Sequence, residues 1–310
     1  MINNTNKSER NKTISLSEKQ ITKYSGRCVE LNSKLKRKDL DNLSILGDTF
    51  SILSLLPKNS IDLCIIDPPY NLDKTYSNTK FKSMSDKEYY NYTKSYLELL
   101  LPLLKNTSTV YICCDWKSSP MIYKALSKYF IVRNRITWKR DKGRGSKDNY
   151  KNNLEDIYYC TVSKDFTFNL DSVKIRRKVI CPYTLNGENR DWKSDDTKGI
   201  NYRDTHPSNL MDDITIPFWS MKENTIHPTQ KPEKLIAKLI LASSNEDDIV
   251  LDPFAGSGTT AVVAYKLKRR FVSIEQSKEY CAIQQYRLKL AKKDKTIQGY
   301  NGSIFFDRNF

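Results

Sequence analysis

Twice in this chain a short apolar run stops at an Asp-Pro step. Ile61 to Ile66, broken only by Asp62, leads into Asp67-Pro68-Pro69-Tyr70, and Ile249 to Leu251 leads into Asp252-Pro253-Phe254-Ala255-Gly256-Ser257-Gly258-Thr259-Thr260. Such runs, bounded by turn residues, predict strands buried on both faces, as in a parallel sheet. Parallel strands need crossovers, and the neighbouring sequence supplies helices for them. Ser85 with Glu88 three residues later is a capping-box signature, and Tyr89, Tyr92, Tyr96, Leu99, Leu100 and Leu103 recur at helical spacing up to about Leu104. Val110 to Cys114 and Arg133 to Trp138 read as strands around a helix from Pro120 to Phe130. Later, Pro232 opens a helix with Leu235 to Ala242 on its apolar face, Thr259 opens another, and strand Phe271 to Ile274 precedes a helix from Lys278 to Lys292. This alternation predicts an α/β fold built on a doubly wound, mostly parallel sheet.

The same alternation divides the chain. Residues 41–164 and 225–293 are the two halves of one α/β domain. Between them, residues 165–224 are polar with aromatics and prolines interspersed, which predicts a small separate lobe or long insertion. Residues 1–40 are rich in Asn, Ser, Lys and Arg and run into Lys34, Lys36, Arg37 and Lys38; they read as a mobile basic arm, or as a solvated tail without a partner. In the 294–310 tail, Tyr300-Asn301-Gly302 is a turn signal between apolar residues and predicts a hairpin.

Composition narrows the partners. With 52 Lys and Arg against 36 Asp and Glu, the formal charge is +16, which favours a polyanion whose condensed counterions are released on binding; the rival source is a coding bias that fills surfaces with Lys and Asn. No apolar run approaches the roughly 18 residues of a membrane span, so no membrane partner is expected, and the polar N-terminus lacks the apolar stretch of a signal peptide. Seven scattered cysteines without CxxC spacing suit a reduced, cytoplasmic protein. The two histidines, His206 and His227, argue against a His-based metal centre and against a Ser/His/Asp triad, and metal-free chemistry is the expectation.

The two turns carry the chemistry. In open α/β sheets ligands sit outside the carboxyl ends of strands, where Asp67 is displayed. Pro68 and Pro69 fix the backbone and withhold two N–H donors, leaving a rigid cluster of acceptors beside the Tyr70 ring. Such a cluster suits the exocyclic amino group of a nucleobase: the Asp67 carboxylate and the Pro68 carbonyl each accept one N–H, and Tyr70 stacks on the base. The plainer reading is an Asp capping a turn that happens to hold two prolines. In the second turn Gly256 and Gly258 let backbone approach a ligand closely, and the helix that follows offers N–H groups to a carboxylate. A phosphate-binding loop would require Lys after Gly258, and none is there. Glu275, 23 positions beyond Asp252, ends the next strand and matches an acid that accepts the ribose hydroxyls of an adenosyl cofactor. A carboxylate repels phosphate and suits a sulfonium. The glycine turn and strand-end Glu alone are ambiguous with dinucleotide binding; the Asp67 turn breaks the tie.

On these residues the chain, from about Leu46 to Leu290, resembles the amino-group DNA methyltransferases that use S-adenosylmethionine. Asp67 to Tyr70 looks like the family's catalytic motif and Phe254 to Gly258 like its FxGxG cofactor motif. The order, catalytic motif first and cofactor motif last, is similar to the beta group, and so implies a Rossmann-like methyltransferase fold with permuted motifs and a small target-recognition lobe at 165–224. Gly47-Asp48, His227-Pro228-Thr229-Gln230-Lys231-Pro232 and Tyr280 after the Glu275 strand are supporting matches. The resemblance implies Asp67, Pro68, Pro69 and Tyr70 as catalytic residues. It implies that S-adenosylmethionine is bound by Asp48 near its adenine, Thr229 and Lys231 near its methionine end, and Asp67, Asp252, Phe254, Ala255, Gly256, Ser257, Gly258, Thr259, Thr260 and Glu275, with no metal because the sulfonium is already activated. It also implies a target base flipped out of double-stranded DNA, a cognate restriction endonuclease and a homodimer as partners, and a bacterial cytoplasm, on the nucleoid, as location. DPPY rather than SPPY leans toward adenine N6. The alternatives are cytosine N4 methylation and a non-catalytic DNA-binding specificity subunit, against which the presence of both Asp67 and Tyr70 argues.

Residues 133–178 hold 13 Lys or Arg against 6 Asp or Glu, with Trp138, Tyr150, Tyr158 and Tyr159 interleaved. Lys139 to Lys151, with Gly143 and Gly145, reads as a mobile basic loop closing on DNA through Lys139, Arg140, Lys142, Arg144 and Lys147; phosphate contacts of this kind position without specifying. Any surface loop of so basic a protein would look similar. In the lobe, Arg176, Arg177, Arg190 and Arg203, with Asn186, Asn189 and Asn201, are types that read base edges. Trp192 and Trp219 read as lobe core.

Overall fold

The structure is a computed structural model that describes residues 9–76, 79–140, 145, 147–180, 183–189, 191–195 and 199–308. Its strands begin with β1 (Leu43–Leu46), β2 (Ile61–Ile66), β3 (Leu104–Cys114), β4 (Ile131–Lys139) and β5 (Leu154–Thr161). The middle of the chain adds β6 (Ile175–Lys178), β7 (Lys193–Asp195), β8 (Ile200–Thr205) and β9 (Leu210–Met211), and the last part adds β10 (Ile249–Asp252), β11 (Arg270–Glu275) and β12 (Phe305–Phe306). The helices are α1 (Glu18–Ser25), α2 (Thr49–Leu53), α3 (Asp86–Leu100), α4 (Ser119–Leu126), α5 (Glu233–Ser243), α6 (Thr259–Lys266) and α7 (Lys278–Ala291).

The central sheet has the order β1-β11-β10-β2-β3-β5-β4-β9. It is parallel from β1 to β3 and between β4 and β9, while β5 runs antiparallel to both of its neighbours. β10 lies beside β2, with Val250 opposite Leu63 and Leu251 opposite Cys64, so the Asp252 and Asp67 turns leave the same edge of the sheet from adjacent strands. The period of two along β2 sends Leu63 and Ile65 into a core shared with α5 and α6, and Cys64 and Ile66 into a core shared with α3 and α4. The α5 helix is buried along its whole length, which its nearly all-round apolar sequence requires. Its two buried lysines, Lys234 and Lys238, each lie 2.7 Å from the Asp213 carboxylate. The Ser85 cap forms as expected: Glu88 N–H donates to Ser85 Oγ at 3.4 Å and Ser85 N–H donates to Glu88 Oε2 at 2.9 Å.

Three segments differ from the sequence reading. The antiparallel strand β5 occupies part of the stretch read as basic and DNA-facing. It buries Ile157, Tyr158, Tyr159 and Cys160, and Trp138 is buried beside it with its indole N–H donating to the Ile214 carbonyl at 3.1 Å; of the interleaved aromatics only Tyr150 is exposed. Residues 9–40 are no free arm. Ile14 N–H donates to the Asn224 carbonyl, Ile14 packs with Tyr280 and Ile283 of α7, and Tyr24 and Leu40 are buried. These anchors are too far apart in sequence to show a period. Residues 1–8 lie outside the described residues. The lobe is a four-stranded sheet, β7-β8-β6-β12, whose outer strand comes from the C-terminal tail: Tyr300 bridges Phe305 across the Asn301-Gly302 turn, and Phe305 then pairs in parallel with Ile175. Trp219 is 51% exposed rather than core, and Trp192, half-buried, donates its indole N–H to the Tyr183 carbonyl. Among the described residues no helix is long and apolar enough to cross a membrane.

Candidate active site

Asp67 follows β2 directly, and its turn is pinned from two sides. The Tyr89 hydroxyl on α3 donates to the Pro69 carbonyl at 3.0 Å. The Asn71 side chain donates to the Met84 carbonyl at 2.8 Å and accepts the Met84 N–H at 2.7 Å. Both Asp67 carboxylate oxygens accept hydrogen bonds from Lys231 Nζ, each at 2.7 Å. The same ammonium is 3.2 Å from the Tyr70 hydroxyl and 3.3 Å from Glu155 Oε2. Tyr70 Oη is 3.1 Å from Asp67 Oδ1 and 3.2 Å from Glu155 Oε2, and its single proton serves one of them. Arg140 closes the cluster with NH1 at 2.7 Å from Glu155 Oε1. Burial works to lower the Lys231 pKa, but the Asp67 and Glu155 carboxylates outweigh it and hold the ammonium above its ordinary range. Burial, reinforced by Asp67 and Glu155, raises Tyr70 well above an ordinary phenol, so it remains a donor.

The second turn lies across one cavity of about 280 Å³ from the first. Gly256 has φ +51°, and a Cβ there would fall 2.8 Å from His227 Nε2. Its N–H donates to Glu275 Oε2 at 2.8 Å, and Ser277 N–H donates to Glu275 Oε1 at 2.8 Å. Burial pushes Glu275 up to about 7 and, with a smaller contribution from Asp67, Asp252 up to about 7. The Thr49 hydroxyl at the start of α2 donates to the Pro253 carbonyl, while Asp48 caps the same helix by accepting Ser51 N–H at 3.0 Å. Burial, then the Lys231 charge, pulls His227 down to about 3 and keeps it neutral against the Tyr280 ring.

The cavity brings together Asp48, Asp67, Pro68, Pro69, Tyr70, Thr229, Lys231, Asp252, Phe254, Ala255, Gly256, Ser257, Thr259, Thr260 and Glu275. Gly258, expected with them, is not part of its lining. It has φ +78°, and a Cβ there would meet Gln284 Cγ at 2.3 Å, so its glycine is demanded by the approach of α7 to α6. Sequence reasoning missed Glu155 and the aromatic wall of Phe50, Phe81 and Tyr92, whose rings lie 5.6 and 5.8 Å apart at Phe50–Tyr92 and Phe81–Tyr92. The adjacent Glu155 and Asp156 at the start of Leu154 to Cys160, an otherwise apolar run, were the available signal for Glu155. Among the described residues no group of three or more His, Cys, Asp or Glu side chains is arranged to hold a metal ion.

The expected DNA-facing cations fare unevenly. Lys139 and Lys147 are exposed, whereas Lys142, Arg144 and Arg190 lie outside the described residues. Arg140 points inward to Glu155. In the lobe, Arg176 makes a two-pronged pair with Asp204 at 2.8 Å because the two residues face each other across β6 and β8. Arg203 lies 3.2 Å from Asp191, and Arg177 lies 3.7 Å from both Asp212 and Asp307.

The family model for N6/N4 DNA methylases matches residues 61–286. The chain is 37% identical over 254 residues to the type II methyltransferase M.HpaI of Haemophilus parainfluenzae, covering 80% of this chain and 74% of that protein. It is 33% identical over 249 residues to the DNA adenine methyltransferase YhdJ of Escherichia coli (strain K12), covering 80% and 82%. Its fold is similar to that of the cytosine-N4-specific PvuII DNA methyltransferase, with a TM-score of 0.57 at 18% identity over 80% of this chain and 89% of that one. It is also similar to a DNA modification methylase of Thermus thermophilus, TTHA0409, complexed with S-adenosyl-L-methionine, with a TM-score of 0.53 at 18% identity over 86% and 97%. The protein belongs to the DNA methylase family.

Proposed function

We propose that this protein transfers the methyl group of S-adenosylmethionine to N6 of an adenine at a specific site in double-stranded DNA, after the base has left the helix. One observation carries the reading: the acceptor-rich Asp67 turn and the Gly256 turn rise from adjacent strands into a single cavity. The cavity fits the cofactor chemically. A Cβ would fill the Gly256 cradle, and two buried carboxylates, Asp252 and Glu275, gain from a nearby cation. Glu275 would hold the ribose hydroxyls, Asp48 and Phe254 the adenine side, and Thr229 with the Gly256 turn the methionine side. When bound, the sulfonium supplies an electrophilic methyl group. The chain's own residues would orient the nitrogen: the Asp67 carboxylate and the Pro68 carbonyl would each accept one N–H hydrogen bond from it and so direct its lone pair toward that methyl, with Tyr70 against the base face. The proton lost after transfer passes to Asp67 or to water.

The adenine preference draws on the DPPY turn and on the relative named as an adenine methyltransferase. Target recognition by the β6–β8 lobe, a restriction endonuclease partner, a homodimer and a bacterial cytoplasmic location on the nucleoid belong to the same proposal. The test is methyl incorporation into duplex DNA followed by mass analysis of the digested nucleosides. N6-methyladenine from the wild type and none from Asp67→Ala is the expected result. N4-methylcytosine would move the assignment to the other amine, and an inactive wild type or an equally active Asp67→Ala would defeat the enzyme reading.

A further inference from the structure

Two carboxylates, a half-buried Asp67 and a buried Glu155, flank one ammonium beside the reacting position, and Glu155 has no part in holding a base or cofactor. Lys231 and Glu155 are 6% and 5% exposed, against 22% for Asp67. As arranged, Lys231 donates to both Asp67 oxygens, each at 2.7 Å, and so competes with the target amine for the carboxylate that is to accept one of its N–H groups. On its other side Glu155 is paired with Arg140, whose NH1 is 2.7 Å from Oε1, closer than Lys231 at 3.3 Å from Oε2. Arg140 is well placed to leave. It lies immediately after β4, where the chain enters the basic stretch that returns at Asn153, and its backbone N–H donates to the Asn153 carbonyl at 2.6 Å. Its guanidinium is incompletely used, since the buried Nε has no hydrogen-bond partner among the described residues.

We infer that Glu155 and Arg140 form a DNA-operated latch on the catalytic turn: DNA phosphates draw Arg140 away from Glu155, the uncovered Glu155 carboxylate draws Lys231 off Asp67, and Asp67 is thereby freed to accept the amino group. The inference rests on the methyltransferase reading. Arg140 is favoured by phosphate because its planar fork pairs with phosphate oxygens as readily as with a carboxylate. Glu155, once uncovered, is a buried charge without a full partner, and the nearest cation is Lys231, already 3.3 Å away. No proton or covalent bond changes place; a hydrogen-bonded cation moves between two acceptors. Glu155 and Arg140 are positioning residues, and the uncapped Asp67 is what touches substrate.

The test compares kcat and KM of wild type, Glu155→Gln, Arg140→Ala and the double variant at saturating cofactor. It uses a long duplex and a duplex trimmed to a few base pairs around the target, with cofactor affinity and thermal melting followed alongside. Glu155→Gln keeps the shape and removes the charge that pulls Lys231. It is expected to lose tenfold or more in kcat relative to wild type on the long duplex and to fall little further on the trimmed one, while KM and cofactor affinity stay within twofold. Wild type is expected to lose kcat, beyond affinity, on the trimmed duplex, and Arg140→Ala, whose latch is already open, to keep it. The double variant should match Glu155→Gln, because the latch has nothing left to release. A wild-type kcat in Glu155→Gln, or equal loss on trimming in wild type and Arg140→Ala, would overturn the latch. The second comparison stands even if Glu155→Gln does not fold. A wild type that methylates no DNA defeats the proposed function instead, which separates the two failures.

Discussion

The reassignment of Gly258 from ligand contact to helix spacer gives a quantitative prediction. In Gly258→Ala the new methyl is fixed to a backbone at φ +78° and ψ 31°, at the N-cap of α6. Left-handed backbone costs a non-glycine residue about 1–2 kcal/mol. The methyl would also sit 2.3 Å from Cγ and 2.6 Å from Cβ of Gln284, and those atoms hang close to the α7 backbone, so rotation alone cannot clear them. Forcing a methyl into a packed interior costs about 1–3 kcal/mol. Gln284 is 1% exposed, and its amide donates to Ser44 Oγ and Ser273 Oγ; displacing it weakens two buried hydrogen bonds worth about 1 kcal/mol each. The sum is about 4 kcal/mol, a large share of the roughly 5–15 kcal/mol that a folded domain has. With a urea m-value near about 3 kcal/mol/M, the unfolding midpoint falls by more than about 1 M. Gly256→Ala should show the converse: the cavity is lined by Gly256 and not by Gly258, so cofactor affinity falls more than tenfold for a smaller change in midpoint. If Gly258→Ala leaves the midpoint within about 0.3 M of wild type and weakens cofactor binding, the spacing argument is wrong and the residue touches ligand.

Removing Lys231 by Lys231→Met leaves the half-buried Asp67 without its cation and the buried Glu155 with Arg140 alone; it should cost at most about 3–5 kcal/mol, and a melting temperature equal to wild type would contradict the network. Glu275 and Asp252, both held near 7 by burial, bind protons in the folded state that the unfolded state has released by about pH 4. Stability should therefore fall as pH rises from about 4 to about 7, while affinity for a cationic cofactor rises over the upper part of that range. Isothermal titration from pH 5.5 to 8 checks the second half, and a flat profile in both wild type and Glu275→Gln would remove the two acids from the cofactor site. Arg176→Ala breaks a pair that is only a quarter to a third exposed on each side; surface pairs of this sort are worth at most about 1 kcal/mol. A large loss of DNA affinity in that variant would mean that the arginine leaves Asp204 for the duplex.

The sequence made the parallel frame legible because its strands are buried on both faces and read as nearly continuous apolar runs: β2, β10 and β11 stand within a residue of where Ile61 to Ile66, Ile249 to Leu251 and Phe271 to Ile274 put them. The turns were legible for the same reason, since a strand that stops at Asp-Pro declares where its carboxyl end lies. Long-range anchoring was not. Ile14, Tyr24 and Leu40 are single plugs separated by polar residues, and no window around any of them has a period. Charge misled in the opposite direction: Arg176 and Asp204 are 28 residues apart in sequence and side by side in space, so composition counted an exposed cation where the fold makes an ion pair.

The hardest residue to foresee, Glu155, follows from the direction of one strand. In a parallel sheet every strand brings its carboxyl end to the catalytic edge, and a search of strand ends finds Asp67, Asp252 and Glu275. Strand β5 is inserted in reverse between β3 and β4, with Cys114 at the carboxyl end of β3 facing Asp156. An antiparallel neighbour must present its amino end there, and the second residue of β5 is Glu155. The β4–β5 connection lies at that same edge, which is why Arg140 and the basic stretch begin within reach of the catalytic turn. One reversed strand therefore sets beside the two-turn pocket both a carboxylate and the root of a cationic stretch, joined to it through Lys231 and Tyr70. A deletion that merely shortens the connection between Arg140 and Asn153, leaving every cavity residue intact, should for that reason alter kcat as well as DNA affinity. An effect confined to affinity would show that the loop serves only to hold the duplex.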